Sequence, residues 1–268
     1  MGVEMKENEK LVVVVGVLLV SGLVFAAIVA AFFVSKAGPA LLGSIANIST
    51  SKSGNRGEGE FKFDSDKIIE IEQKAGDVES LVVNVAIKKG EVIVKENELG
   101  DVLRGTVGYL GGKPNIESRR SGSAVLTLEI KSEDGAGENV SLDLVPKVRS
   151  VVNLGVGIGN VRANLSKLNV SVINVAVGTG NTEVTFSKAN STTASLATGV
   201  GNVKLRIPKG AEHKIVYKQA AQKNDIFSDS DYVVEGNSIK TRGYDSAKIR
   251  IVVNVGVGVG KTSFEFID

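Results

Sequence analysis

The sequence lacks cysteine and tryptophan, and it has one histidine among its 268 residues. Without cysteine there is no disulfide framework, no thiolate nucleophile and no zinc–thiolate site. The 32 basic and 30 acidic residues leave a formal charge of +2. A balance so close to neutral provides no broad basic field for nucleic acid. These absences exclude thiol chemistry and argue against a nucleic-acid partner.

Glycine and valine dominate the composition instead. Glycine occurs 31 times and proline only 4 times, while aromatic residues make up 5% of the chain. Valine favours strands, and glycine within strand-rich sequence marks turns or close packing. The composition therefore predicts an all-β fold, in a chain long enough to bury a proper core.

One segment near the N-terminus departs from this pattern. Residues 11–34 carry no charge over 24 positions and are bracketed by Lys10 and Lys36. As a helix this run would extend about 36 Å, enough to cross a hydrocarbon core of about 30 Å. A cleaved signal peptide normally has a shorter apolar region and a small-residue cleavage site. The segment is therefore predicted to be an uncleaved transmembrane helix.

The orientation of this span depends on weak signals. Lysines balance on its two sides, so the positive-inside rule does not decide. Five Asn-x-Ser/Thr sites, possible N-glycosylation acceptors, all follow the span: Asn47, Asn139, Asn164, Asn169 and Asn190. They favour residues 1–10 as a short cytoplasmic tail and a large C-terminal domain outside the cell membrane.

The stretch after the span is rich in glycine and serine. Residues 35–60 lose large apolar side chains after Ile48, which is typical of a linker or stalk. The folded β-repeat domain is predicted to cover residues 61–268.

Near the C-terminus, the motif GVGVGKT is similar to a phosphate-binding loop. That loop requires glycine five positions before its Gly-Lys pair, where this chain has Val255. It must also open a helix, yet SFEFID after Thr262 alternates like a strand. The motif therefore does not predict a nucleotide site.

The same pattern recurs upstream, which explains the glycines. Val151–Leu165, Val172–Phe186 and Thr193–Ile207 resemble the C-terminal stretch, and a degenerate copy spans Val82–Glu96. The corresponding glycines are Gly90, Gly159, Gly180, Gly201 and Gly260, of which the middle three stand 21 residues apart. The outer intervals, 69 and 59 residues, are each interpreted as about three periods. A period of about 21 residues predicts stacked coils of a β-solenoid-like domain.

Each copy also separates into two faces by the alternation of a strand. One face is apolar, and the other holds asparagine followed by glycine or alanine. Stacked coils would bring the asparagines into an amide ladder. The five repeated glycines, mostly followed by asparagine, are predicted to be structural corners because they tolerate positive φ.

Few residues suggest chemistry, and each has a simpler structural interpretation. The single histidine, His213, has no cluster of carboxylates near it in the sequence. Three further groups are better explained as solvated surface or loop residues than as sites. They are Glu70 and Glu72 (as paired glycosidase carboxylates), Asp225, Asp229 and Asp231 (as a calcium loop), and Glu117, Arg119 and Arg120 (as an anionic-polymer site). No catalytic, metal-binding or cofactor-binding residue is predicted.

The strand and corner SLDLVPK, Ser141–Lys147, followed by recurring NVxVGxGN, resembles the membrane-tethered toastrack domains. Part of that family is described as adhesins, and other members occur in envelope-stress response proteins. The resemblance covers Ile68–Asp268. It implies an all-β stacked fold beside a membrane anchor and transfers no functional residues.

Three functional hypotheses follow. The first is a non-catalytic, adhesin-like binding module on the cell surface, whose partners are the membrane and a protein or cell-surface polymer. The second is an accessory component of envelope-stress sensing, which would act through a partner because the ten-residue tail MGVEMKENEK is too short to signal. The third, a carbohydrate-active enzyme, is disfavoured because tryptophan platforms and clustered catalytic residues are lacking.

Overall fold

The computed structural model describes residues 67–74, 76–97, 101–121, 124–132, 137–217 and 231–268. All of them belong to one compact unit, residues 60–268. The predicted tail, span and linker lie outside the described residues, together with Asn47. Within the described ranges, no helix combines the length and apolarity that a membrane crossing requires.

The described part of the chain is all-β, as the composition predicts. Its only helical element is a short 3-10 helix, Tyr244–Ser246. The first eight strands are β1 (Lys67–Gln73), β2 (Ser80–Glu96), β3 (Leu103–Tyr109), β4 (Asn115–Ser121), β5 (Val125–Lys131), β6 (Glu138–Leu144), β7 (Arg149–Asn164) and β8 (Val170–Thr179). The others are β9 (Thr182–Thr185), β10 (Thr192–Val200), β11 (Val203–Pro208), β12 (His213–Tyr217), β13 (Tyr232–Glu235), β14 (Ser238–Thr241), β15 (Ile251–Val259) and β16 (Thr262–Ile267).

The strands form two layers joined through β2 and β7. The first layer has the order β4-β5-β2-β7-β8-β10-β15-β12-β14-β13, and the second has the order β1-β3-β6-β2-β7-β9-β11-β16. The long strands β2 and β7, of 17 and 16 residues, supply segments to both layers. The central strands of each layer pair in parallel.

A change in the phase of the apolar alternation explains how one chain segment serves both layers. In β7 the buried residues Val152, Leu154 and Val156 are followed by Val161 and Ala163. The step from 156 to 161 is odd, so the apolar side chains move to the opposite face of the strand. Because the shift occurs at the corner, both segments direct their apolar side chains into one shared core.

This core consists mainly of branched aliphatic side chains. Its largest fully buried member is Phe186, accompanied by leucines such as Leu128, Leu154 and Leu165. Regular alternation of β-branched and leucine side chains fills the space between the layers without needing many aromatics. The low aromatic content is therefore compatible with a continuous core.

The structure corrects the interpretation of the two long intervals between glycines. Gly90 pairs directly with Gly159, and β15 pairs directly with β10, so no coils lie between these neighbours. The 69-residue interval contains β3–β6. Strands β5 and β6 pair with β2 on the side away from β7, and β4 and β3 lie beyond them. The 59-residue interval includes β12–β14, which lie beyond β15. Chain order and spatial order therefore differ at both ends, where antiparallel strands cover the parallel array.

Candidate binding surface

The outer face of the first layer has an uncharged region that extends over five neighbouring strands. It consists of three rows of side chains, here called files, which run across the strands and contain no charged residue. These strands are β2, β7, β8, β10 and β15, in register. The files are Val82, Val151, Val172, Thr193, Val252; then Asn84, Asn153, Asn174, Ser195, Asn254; then Ala86, Gly155, Ala176, Ala197, Gly256. We call these fifteen residues the uncharged face.

The central file of the uncharged face contains the amide ladder expected from the sequence. Asn153 Nδ2 donates to Asn84 Oδ1 at 2.8 Å, and Asn174 Nδ2 donates to Asn153 Oδ1 at 2.8 Å. Asn153 is 2% exposed, although it lies opposite the core. The predicted ladder is confirmed over these three residues, and Ser195 ends it because its hydroxyl is too short to continue the series.

Strand geometry gives the dimensions of the uncharged face. Five strands spaced about 4.8 Å apart span about 19 Å, and three files spaced about 6.7 Å apart span about 13 Å. The resulting patch of roughly 250 Å² is far below the ~800 Å² per partner of a standard protein–protein interface. Its size and low relief therefore suit a narrow, extended partner better than a globular one.

The outer face of the second layer has the opposite chemistry. Its charged side chains pair with one another across strands: Lys95 with Asp143 at 3.6 Å, Arg162 with Glu91 at 3.3 Å, and Arg206 with Glu265 at 3.0 Å. Hydrogen bonds from Arg206 and then Lys204 lower the pKa of Glu265 to about 2. These mutually neutralised charges keep the second face hydrated and leave the first layer as the candidate binding surface.

The repeated glycines follow one another along the boundary between the layers. Gly90, Gly159, Gly180, Gly201 and Gly260 have φ angles of 137°, 144°, 143°, 141° and 142°. A Cβ built on Gly180 would lie 1.6 Å from the carbonyl oxygen of Gly159. Backbone conformation and close approach therefore both require glycine at this position.

The residues after these glycines form a second series of hydrogen bonds. Asn160 Oδ1 accepts from the backbone N–H of Asn181 at 3.1 Å, and Asn202 Oδ1 accepts from that of Lys261 at 3.2 Å. The segment after Lys261 is strand β16, whereas a phosphate-binding loop would continue into a helix. GVGVGKT is thus one more crossing between the two layers.

His213 is the first residue of β12, and its side chain is buried, which the sequence did not indicate. Its side chain is 2% exposed and contacts the rings of Tyr232 and Phe266 at centroid distances of 5.6 and 5.9 Å. Nδ1 lies 2.8 Å from the carbonyl oxygen of Ala211, so this nitrogen is the donor, and in the neutral ring Nε2 carries no proton. Nε2 is buried and has no hydrogen-bond partner among the described residues.

We expect stability to fall when the solution is acidified through the histidine range. Burial lowers the pKa of His213 below 6.5, although the bond to Ala211 opposes the shift. The unfolded chain therefore takes up this proton first, so stability is greatest above about pH 6.5 and declines below it. Thermal melts at about pH 7.5 and about pH 5.5, on either side of the ordinary histidine pKa, should show a lower Tm in acid. His213→Phe should reduce this difference, and an unchanged difference in the variant would contradict the assignment.

The other charged candidates that the structure describes do not form one cluster. Glu70 and Glu72 are exposed on β1, with Glu72 4.0 Å from Arg104, and Glu117 pairs with Arg119 on β4. Asp225 and Asp229 lie outside the described residues. Across the described ranges, no three His, Asp or Glu side chains are arranged to hold a metal ion.

The four described Asn-x-Ser/Thr sites differ in accessibility. Asn164 is exposed at the end of β7, while Asn139, Asn169 and Asn190 are half-buried. Asn190 Nδ2, the atom that would carry a glycan, donates to the carbonyl oxygen of Leu168 at 3.2 Å. Asn164 is therefore the most accessible of the four.

The uncharged face was missed as a unit by sequence reasoning, although its three files were visible. The copies in Val151–Leu165 and Val172–Phe186 showed alternating asparagine and small residues. What the sequence left open was that β2 and β15 join the same face directly, because the long intervals obscured their pairing. The signal that could have found it is the shared pattern Val-x-Asn-x-Ala/Gly in all the stacked strands except β10.

Part of the chain is similar in sequence to a known family of domains. The sequence model described as the N-terminal domain of toast_rack, DUF2154, matches residues 57–206, more than half of the chain. None of the curated proteins compared with the sequence matches it.

Solved structures with the same type of fold include a "putative cell adhesion protein" from Clostridium sporogenes. It is 22% identical, with a TM-score of 0.62, over 75% of this chain and 99% of that chain. A "putative adhesin" from Bacteroides fragilis is 11% identical, covers 75% and 98% of the two chains, and has a TM-score of 0.18. The first of these similarities supports the two-layer fold, and the second is too weak to carry an argument.

Proposed function

Because the chain belongs to the toast_rack family, we propose that it is a membrane-anchored, non-catalytic binding module of the cell surface, and that its uncharged face binds an extended, uncharged cell-surface polymer. The observation that carries the proposal is the contrast between the two outer faces. One carries fifteen uncharged residues in register, and the other carries ion pairs between its own strands.

The chemistry of the uncharged face fits a polysaccharide-like partner. Val82, Asn153 and Gly155 are buried, but half-buried members of the face such as Val172 and Asn254 would offer sugar rings both methyl groups and amides. Individual contacts on so small and smooth a patch would be weak. Many copies of the domain along one polymer would raise the overall avidity, which is the behaviour expected of an adhesin. The same fold in a Clostridium sporogenes protein named a "putative cell adhesion protein" agrees with this role.

The proposed location rests on the apolar run 11–34 and on the Asn-x-Ser/Thr sites that follow it. The first test is therefore topology. Protease added to intact cells should digest the domain, and the short N-terminal tail should be cut only after the membrane is permeabilised. A domain that survives in intact cells would refute surface display.

The second test is binding by the full-length chain. Cells that carry it should bind immobilised neutral cell-wall polysaccharide, and binding should change little with salt because the face is uncharged. Ala197→Lys, at an exposed position of the uncharged face, should weaken binding at least about tenfold, since a lysine must be desolvated in the contact. Ser263→Lys places the same side chain at an exposed position of the second layer and should bind like the parent.

These variants separate two failures. If Ala197→Lys and Ser263→Lys lose binding equally, or if neither loses binding, the uncharged face is not the binding surface. If the parent chain binds no polysaccharide at any salt concentration, the polymer proposal itself fails.

A further inference from the structure

The open edge of β4 ends the first layer and is a candidate surface for association. Among the described residues, β4 pairs with β5 alone. Most of its residues are exposed, and the side chains of Arg119 and Glu117 are 74% and 38% exposed. A cleft of about 690 Å³ lies between β4 and β1, lined by Ile116 and Ser118 of β4 and by Ile69–Gln73 of β1. An edge with unpaired backbone groups is a template for another strand.

The charge order of β4 is complementary to itself. When two identical strands pair antiparallel about a two-fold axis normal to the sheet, residues equally distant from the centre face each other. With Ser118 at the centre, Glu117 lies opposite Arg119 of the second copy, and the reverse pair forms at the same time. This register also uses all seven residues of the strand, Asn115–Ser121.

Strand β5 makes the pairing between two copies more favourable electrostatically. On its inner side, Glu117 lies opposite Glu129 of β5, so two carboxylates are adjacent across the ladder. Within one chain, Arg119 pairs with Glu117 and Lys131 pairs with Glu129 at 2.7 Å. A second copy would add a guanidinium directly across the strand from Glu117, where opposite charges stabilise a sheet.

The edge strand β1 of the second layer lacks this property. Its seven residues, KIIEIEQ, are centred on Glu70, so the corresponding self-pairing would place two glutamates opposite each other. Like charges at directly opposed positions destabilise a strand pair. The comparison favours β4 over β1 as a self-association edge.

We infer that two copies of this protein associate through antiparallel pairing of their β4 strands, centred on Ser118, which continues the first layer across both copies. Seven residues make a small interface, so the association is weak and suited to chains crowded on one surface. The occupant is a second copy because the charge order matches itself.

The absence of cysteine makes a position-specific test possible. Ser118→Cys should form a disulfide-linked dimer of the full-length chain under mild oxidation, because a residue at the centre faces its own copy within the distance a disulfide requires. Ser121→Cys is the matched control on the same exposed strand. Its two copies would lie about 20 Å apart and should give at least about tenfold less dimer. A short bis-maleimide provides a second readout that does not depend on disulfide geometry.

Charge reversal tests the register further. In the Ser118→Cys background, Arg119→Glu should strongly reduce cross-linking by opposing two carboxylates, and adding Glu117→Arg should restore it. Unchanged melting temperatures would show that the variants are folded. Equal cross-linking at positions 118 and 121, or no rescue by the second charge reversal, would overturn the proposal.

Discussion

Gly180→Ala should be among the most destabilising single-methyl additions in this protein. The residue has a φ of 143°, and the new Cβ would overlap the carbonyl oxygen of Gly159. Backbone strain and overpacking each cost about 1–3 kcal/mol, so the expected loss in the free energy of unfolding is about 2–6 kcal/mol. Urea denaturation of residues 60–268, the compact unit, measures it.

Two other glycines separate the contributions. Gly210 has a φ of 74° and open space around its Cα, so Gly210→Ala introduces only backbone strain. The φ of Gly178 lies outside the positive region, but a Cβ there would lie 2.5 Å from the carbonyl oxygen of Gly157. Gly178→Ala therefore introduces only close contact. If Gly180→Ala costs no more than either control, the combined requirement for glycine at Gly180 is wrong.

Asn153→Ala should also destabilise the protein strongly, because Asn153 is the middle member of the amide ladder. Its loss removes the donor to Asn84 and the acceptor for Asn174 in a site that is 2% exposed. Leaving such groups without partners costs about 1–3 kcal/mol. The same urea titration measures the change.

The same file of side chains provides a matched control and a substitution that should increase stability. The ladder hydrogen bonds join Asn84, Asn153 and Asn174, and Asn254 is not among these residues, so Asn254→Ala should change stability by less than about 0.5 kcal/mol. Ser195 lies between Asn174 and Asn254 in the register. Ser195→Asn should connect the interrupted ladder and add about 0.5–1.5 kcal/mol. Equal effects of Asn153→Ala and Asn254→Ala would show that ladder hydrogen bonds contribute little.

Local sequence predicted much of this arrangement because the alternation within each copy is regular. Val152, Leu154 and Val156 were expected on one face and Asn153 on the other, and the structure buries the first three in the core. His213 was harder to predict. Its burial depends on Tyr232 and Phe266, which lie 19 and 53 residues away in the sequence.

The sequence by itself determined the all-β class, the side chains on each face of the repeated strands and the glycine positions between apolar runs. These features follow from alternation and glycine placement within about twenty residues, where backbone sterics decide. Only the tertiary structure decided which strands are neighbours: β15 lies between β10 and β12, and β2 lies between β5 and β7. Which strands become neighbours depends on pairing between segments up to 69 residues apart. Because the repeated strands are similar in sequence, each of them could pair with several others. The uncharged face, the ion pairs of the second layer and the open edge of β4 all result from this strand order.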